Sequence, residues 1–418
     1  PGLAIGVVEN GLLVFAKGYG VADARAHKAV TPATEFYAGS VSNEFTAAAV
    51  LLLAQQKKLA LSDRVTKYVP ELTIARDVTI AQLLQQTSGL PDLMTAPGIT
   101  HDQSKPITTD ALVRALNKMQ LASAPGSKFA YNSANYMVAA LIVARVSGVP
   151  FSVFLQTQIF EPLVMTSSLV AGDQGVSSDR ADGYTIAGGK LVQTKPWDPG
   201  WLFGSGDLIT NVHDLAKWDI GMPLLLNVDS VSAMWTPSGA TGETSYGMGW
   251  VVDQRGGKRY IWHNGEVGGF HTMNALLPDQ HIAVIVLANA DSLHGNSAVQ
   301  PERVASQILD VIAPLPLGDV ENTILERAKE WIGRLQRTSP DRTQLTPAFN
   351  AYLTDELIAR TDLKTLGDLQ SLTPTASFTQ NGDNVYVFLA QFPHDHVRFQ
   401  MSLTAQGKID GLLFTPQP

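Results

Sequence analysis

Phe36-Tyr37-Ala38-Gly39-Ser40-Val41-Ser42-Asn43-Glu44-Phe45-Thr46-Ala47-Ala48-Ala49 is the stretch on which the fold turns. A Gly and a Ser open an Ala-rich apolar run, which predicts a buried helix over residues 40–57. A Ser at the start of such a helix stands near the positive end of the helix dipole, where its oxygen can serve as a nucleophile. Asn43 follows three positions on, one turn later on the same face. Its amide takes no proton at neutral pH. Read alone, Ser40 is better explained as a helix cap, so the rest of the chain has to decide.

Composition bounds the answer. The chain has 418 residues, 45% hydrophobic and 16% charged, which is ordinary globular composition with room for more than one domain. A net charge of −8 gives no broad basic surface for nucleic acid or anionic lipid. The absence of cysteine excludes disulfides, thiol catalysis and Cys-ligated metals. No uninterrupted apolar stretch reaches membrane-spanning length. The chain opens abruptly on Pro1-Gly2 and an apolar strand, so the expectation is a trimmed chain whose export signal, if any, lay upstream.

Upstream of Ser40, Leu3–Val8 and Leu12–Ala16 flank Glu9-Asn10-Gly11, a strong hairpin signal. Residues 60–200 mix short helical patterns with loops. Ala134–Val146 predicts a buried helix ending at Gly148-Val149-Pro150. Strands are expected at Gly247–Val252, Met273–Leu277 and His281–Ala288, with Pro278-Asp279 turning the last two, and a helix over 300–312. Strands, then helices, then strands predict an α+β fold: an antiparallel sheet flanked by helices, with an inserted helical lobe, over residues 1–315. Ala313-Pro314-Leu315-Pro316-Leu317-Gly318 reads as a linker. Beyond it, an amphipathic helix at Glu321–Gln336 and strands at Asn384–Leu389, Val397–Leu403 and Lys408–Phe414 predict a small C-terminal α+β domain over 320–418.

Three ordered motifs resemble the serine β-lactamase and penicillin-binding protein superfamily. That superfamily includes class C β-lactamases, D-alanyl-D-alanine carboxypeptidases, related esterases and D-aminopeptidases. Its Ser-x-x-Lys is matched at Ser40 and broken at Asn43. Its Tyr-x-Asn is matched at Tyr131, with Ser133 in the Asn position, where a hydroxyl can still hydrogen-bond. Its His-x-Gly is matched by His263-Asn264-Gly265, followed by Gly268-Gly269-Phe270. Supporting segments are Lys17–Asp23, Leu83–Asp92, Gly204–Leu208 and Tyr246–Trp250, in the family's order across three quarters of the chain.

The resemblance implies roles. Ser40 attacks an acyl carbonyl and forms an acyl-enzyme. The N–H groups of Ser40 and Glu266 form the oxyanion hole. Gly265 lets substrate lie against its strand, and Ser133 and Phe270 join the substrate site. Tyr131 relays protons, which a phenol of pKa about 10 does only beside positive charge. The family Lys supplies that charge, and Asn43 cannot. Loss of general-base help typically costs about 10²- to 10⁴-fold. His263 is a source of some charge at lower pH. Substrates implied are a small-molecule ester, a β-lactam or a short D-amino-acid-type peptide, with no metal or cofactor, and a periplasmic or secreted location.

Three accounts of Asn43 stay open: a Lys→Asn change made to trap a complex, a natural protein that only binds, or another group acting as base. A catalytically inactive binding protein is thus the rival reading, and an interaction role for 320–418 a second. His394-Asp395-His396 is better read as a turn than as a metal site. Trp197 and Trp201 fit a cleft wall or a loop staple equally. Oligomeric state is not legible.

Overall fold

The computed structural model describes residues 1–93, 102–172, 177–239, 245–255, 257–291, 300–313, 322–361, 363–380 and 383–416. The chain divides into two compact units, Pro1–Gln254 with Lys258–Ser306, and Arg255–Gly257 with Gln307–Pro418. Residues 314–318 of the expected linker lie outside the described residues.

The first unit is built on a seven-stranded sheet. Its strands are β1 (Gly2–Glu9), β2 (Leu12–Asp23), β3 (Lys28–Ala29), β4 (Val251–Arg255), β5 (Lys258–Val267), β6 (Phe270–Leu277) and β7 (Ile282–Ala288), in the order β3-β2-β1-β7-β6-β5-β4. The first strand pairs antiparallel with the last, Ile5 opposite Val286. Asn10 and Gly11 both take positive φ, 51° and 78°, the geometry a two-residue hairpin turn demands.

Three longer helices of this unit are α1 (Ser42–Gln55), α2 (Ser133–Ser147) and α3 (Val212–Leu225): α3 packs on β1, β2 and β7, and α2 packs on α1. Helix α1 is buried at every position from Ser42 to Leu53, so it carries no polar stripe and reads as a core helix. Each large side chain it buries contributes about 1.5–3 kcal/mol. Phe45 stacks on Trp218 of α3 with ring centroids 4.2 Å apart. Helix α2 starts at Asn132, whose side chain accepts from Ala134 N, and ends at Gly148 with φ 76°. No single described helix is long and apolar enough to cross a membrane.

The expected strand at Gly247–Val252 is corrected: residues 247–250 form a bend, and the strand starts at Val251. Gly247 N donates to Trp250 O, closing the bend. Gly249, at φ 82°, sits so near α1 that a Cβ there would lie 2.6 Å from Asn43 O. The glycines serve a close approach to α1, not a ladder.

The second unit has its own core, including Trp331, Ile332, Phe388, Phe399 and Ile409. A helix, Asn322–Gln336, accompanies a four-stranded meander of Ser371–Gln380, Asp383–Gln391, His396–Leu403 and Ile409–Pro416. The first of these strands was not among those expected from sequence, and it contains Pro374. Proline is tolerated there because it lies on an edge strand at a register shift between Pro374 and Ala376. His394 and Asp395 lie in an exposed turn and His396 opens the next strand.

Candidate active site

Ser40 lies in a single 3-10 turn, Gly39–Val41, that runs into α1. Ser42 shapes this turn: its hydroxyl donates to Gly39 O at 2.7 Å and accepts from Leu208 N at 3.0 Å. Thr272 of β6 pins the preceding residue, donating to Ala38 O at 2.7 Å. The turn then lies directly against β5. A Cβ on Gly265 would stand 1.9 Å from Ala38 O and 2.9 Å from Ser40 N, and one on Gly39 would stand 2.7 Å from Glu266 N. Gly39 also takes φ 54°. Gly265 is thus required for a reason the sequence did not suggest. A side chain there would strike the protein's own nucleophile turn. The two glycines bring the backbone nitrogens of Ser40 and Glu266 to one seam, the arrangement an oxyanion hole requires.

One turn after Ser40, Asn43 is buried at the hub of a polar cluster. Its Nδ2 donates to the Tyr131 hydroxyl at 2.8 Å and lies 3.5 Å from His263 Nε2. Its Oδ1 has no hydrogen-bond partner among the described residues. His263 Nδ1 lies 2.6 Å from Asn264 O. A carbonyl only accepts, so Nδ1 carries the proton and Nε2 is the acceptor. Tyr246, 2.9 Å away, therefore donates its hydroxyl proton to Nε2.

No charge at neutral pH enters this cluster. Burial pushes the His263 imidazole down to about 4, against a smaller upward pull from its bond to Asn264. The expectation that His263 supplies positive charge is thus corrected: it is buried and neutral. Burial raises the Tyr131 phenol above its ordinary value, and hydrogen bonding from Ser40 and Asn43 offsets only part of that. Tyr246 is raised further, by burial first and then by the neighbouring phenols Tyr136 and Tyr131. Tyr131 is held protonated although its residue surface is 45% exposed, because its oxygen points among buried groups.

The beta-lactamase family matches residues 1–308 of the chain. The chain belongs to that family. Among curated relatives, Protein flp of Staphylococcus aureus (strain MRSA252) is 29% identical over 304 residues, 70% of this chain and 60% of flp. The chain thus spans about 60% of the length of the first such relatives. Putative penicillin-binding protein PbpX of Bacillus subtilis (strain 168) is 31% identical over 285 residues, 68% of this chain and 69% of PbpX. Among solved structures, the octameric penicillin-binding protein homologue from Pyrococcus abyssi has a TM-score of 0.66 at 20% identity, covering 99% of this chain and 96% of that one. D-amino acid amidase from Ochrobactrum anthropi SV3 has a TM-score of 0.63 at 22% identity, covering 69% of this chain and 86% of that one. These two show the shared fold, a mixed helix and antiparallel-sheet architecture.

The remaining residues expected in a beta-lactamase-family site divide. Ser133 is exposed at the first position of α2, two residues beyond Tyr131. Phe270 is corrected: it is buried in the core, with its ring 5.3 Å from Tyr37 and 6.5 Å from Phe36. Trp201 is a loop staple, buried and donating to Lys105 O at 2.9 Å.

Four residues that sequence reasoning did not single out hold the site together. Tyr246 fixes the tautomer of His263 as described. Gln86, at φ 57°, accepts from Asn132 N at 3.0 Å and from Asn135 Nδ2, tying residues 83–90 to the Tyr131 loop. Asn132 caps α2 and donates to Leu90 O at 2.9 Å. Glu302 accepts from Asn264 Nδ2 at 2.8 Å and bonds His271 Nε2 at 2.7 Å, so it steadies the residue whose carbonyl orients His263. The sequence signal for Tyr246 was its place at the head of the supporting segment Tyr246–Trp250.

Proposed function

We propose that this chain is a serine hydrolase of the beta-lactamase-like superfamily that acts through an acyl-enzyme on Ser40. Its substrates are esters or D-amino-acid-type amides and peptides, and its turnover is reduced by Asn43. Ser40 Oγ attacks the acyl carbonyl, and the N–H groups of Ser40 and Glu266 take the developing oxyanion. The attacking hydroxyl must lose its proton as the carbon–oxygen bond forms. Asn43 cannot accept it, His263 faces Tyr246 and Asn43, and Tyr131 already carries a proton, so the Ser40 proton passes slowly to solvent water while the acyl C–O or C–N bond breaks and the leaving group departs.

The observation that carries this reading is the neutral Asn43–Tyr131–His263–Tyr246 cluster beside an intact nucleophile turn. Acylation then favours donors with good leaving groups, such as p-nitrophenyl esters and strained lactams. Deacylation, which needs a base to activate water, is slower still. Names among the relatives, a putative penicillin-binding protein and a D-amino acid amidase, support the substrate class. The same neutral cluster favours a second reading, a binding protein that holds acyl ligands without turning them over.

Intact mass after incubation with a p-nitrophenyl ester and with a penicillin tests both, for this chain, Asn43→Lys and Ser40→Ala. A persistent adduct on this chain, absent from Ser40→Ala, with turnover in Asn43→Lys, is the expected result. No adduct and no turnover in any of the proteins sinks the hydrolase reading and leaves the binding protein.

A further inference from the structure

The second unit holds a pocket of about 410 Å³ along its edge strand, Ile409–Pro416. Ala348, Phe349 and Tyr352, on the short helix Pro347–Tyr352, line one side. Asp410, Gly411, Leu412 and Leu413 line it from the edge strand, and Gln400 and Ser402 from the strand His396–Leu403 beside it. Ser402 stands opposite Gly411 and Gln400 opposite Leu413, so the four share one face of the sheet. A Cβ on Gly411 would lie 3.5 Å from Ser402 Oγ. With only hydrogen at 411, the Ser402 hydroxyl is open to the pocket.

The walls differ in character. Tyr352 is 67% exposed, and the ring of Phe349 backs it at 6.1 Å, 25° from parallel. Phe349 belongs to the unit's core, so it holds the Tyr352 ring as a platform. Gln400 and Ser402 are half-buried, and neither side chain has a hydrogen-bond partner among the described residues. Asp410 is exposed and keeps its hydration, and its Oδ1 accepts from the Thr346 hydroxyl at 2.5 Å. It therefore calls for no cation.

None of the lining residues is Lys, Arg or His, and one is acidic, so the pocket disfavours an anion. A wholly apolar guest would bury the Gln400 amide and the Ser402 hydroxyl without partners. What suits both walls is a neutral ring with a C–H face and hydroxyls around its rim. A pyranose whose hydroxyls are all equatorial has that form. Its axial C–H bonds meet the negative face of an aromatic ring. Its hydroxyls both donate and accept, which matches an amide, a hydroxyl and a carboxylate set side by side.

We propose that this pocket binds one pyranose unit of the β-gluco type, with a C–H face on Tyr352 and hydroxyls on Gln400, Ser402 and Asp410. The site does not depend on the chemistry of Ser40.

Calorimetry and saturation-transfer NMR on the full chain test it, with methyl β-D-glucopyranoside as ligand. Sorbitol, which has the hydroxyls without the ring, and cyclohexanol, which has the ring without the rim of hydroxyls, are the comparisons. The expected result is saturable 1:1 binding with a Kd of about 1 mM, at least about tenfold tighter than either comparison, and saturation transfer concentrated on one face of the sugar ring. Tyr352→Ala is expected to weaken binding by at least about tenfold. Gly411→Leu, whose side chain fills the pocket, is expected to abolish it. Unchanged melting temperatures identify the variants that fold, and if one does not, the other decides. The proposal is overturned by absence of saturable binding, by sorbitol or cyclohexanol binding as tightly as the glycoside, or by unchanged binding in a folded variant.

Discussion

Asn43 Nδ2 donates to the Tyr131 hydroxyl across 2.8 Å, so an amide occupies the place from which a positive charge would make that phenol acidic. The contact keeps the two side chains in register and withholds the proton chemistry.

Replacing Asn43 by Lys puts an ammonium against the phenol. Turnover of a p-nitrophenyl ester is expected to rise by roughly 10²- to 10⁴-fold, read as kcat/KM. A Lys variant that folds and labels at Ser40 yet turns over no faster than the parent would exclude residue 43 as the missing base.

Tyr246→Phe removes the donor to His263 Nε2 and leaves that buried acceptor only the Asn43 amide at 3.5 Å. The cost is expected to be about 1–3 kcal/mol in denaturant unfolding. An unchanged midpoint would mean that the hydroxyl contributes nothing there. Tyr131 is 45% exposed as a residue, so Tyr131→Phe should cost less stability and more acylation rate.

Gly265→Ala drives a methyl group into Ala38 O, which stands 1.9 Å from the ideal Cβ position. The nucleophile turn must move off β5. We expect a loss of about 1–3 kcal/mol and abolished labelling of Ser40 by a penicillin, scored by intact mass. Labelling at the parent rate would refute the packing role assigned to this glycine.

Burial lowers His263 from 6.5 to about 4 in the folded chain. Between those values the unfolded chain binds the proton and the folded one does not. This contribution is therefore present above pH 6.5 and is lost as pH falls toward 4, by up to about 3 kcal/mol. An NMR titration of the imidazole checks it, and a midpoint near 6.5 would contradict the burial argument.

Asp219 works in the opposite direction. Burial raises it from 3.8 to about 8, against the hydrogen bond from Asn274. The unfolded chain releases this proton from about pH 4 upward while the folded chain keeps it, so stability falls as pH rises from about 4 to 8. Asp219→Asn is expected to flatten that slope and to be more stable than the parent at pH 8. Denaturation midpoints at pH 5 and pH 8 measure it, and parallel slopes in the two proteins would exclude Asp219 as the source.

Much of the architecture could be read locally. The Asn10-Gly11 turn, the Ala-rich helix after Ser40 and the Gly148 stop each depend on backbone preferences that a few residues express by themselves. So does the order of Ser40, Tyr131 and His263, which places three chemically marked residues on a known scaffold. The strand with Pro374 went unassigned, and the bend at Gly247–Trp250 was misread as a strand. There glycines that could extend a ladder are instead held against α1, which only the packing shows.

The order of residues settles which groups are available: a Ser at a helix start, an amide where the resembling family has an ammonium, and no cysteine. Their states come from the folded surroundings. Burial made His263 neutral, because an imidazolium loses more hydration there than one carbonyl returns. Close packing made Gly265 a seat for Ser40, because two backbones meet at that point. Long-range contact set Asp219 beside Glu44, 175 positions apart in the chain, and left one oxygen of each without a donor among the described residues. Proton affinity and clearance are properties of surroundings, and the surroundings of these residues come from segments far away in sequence.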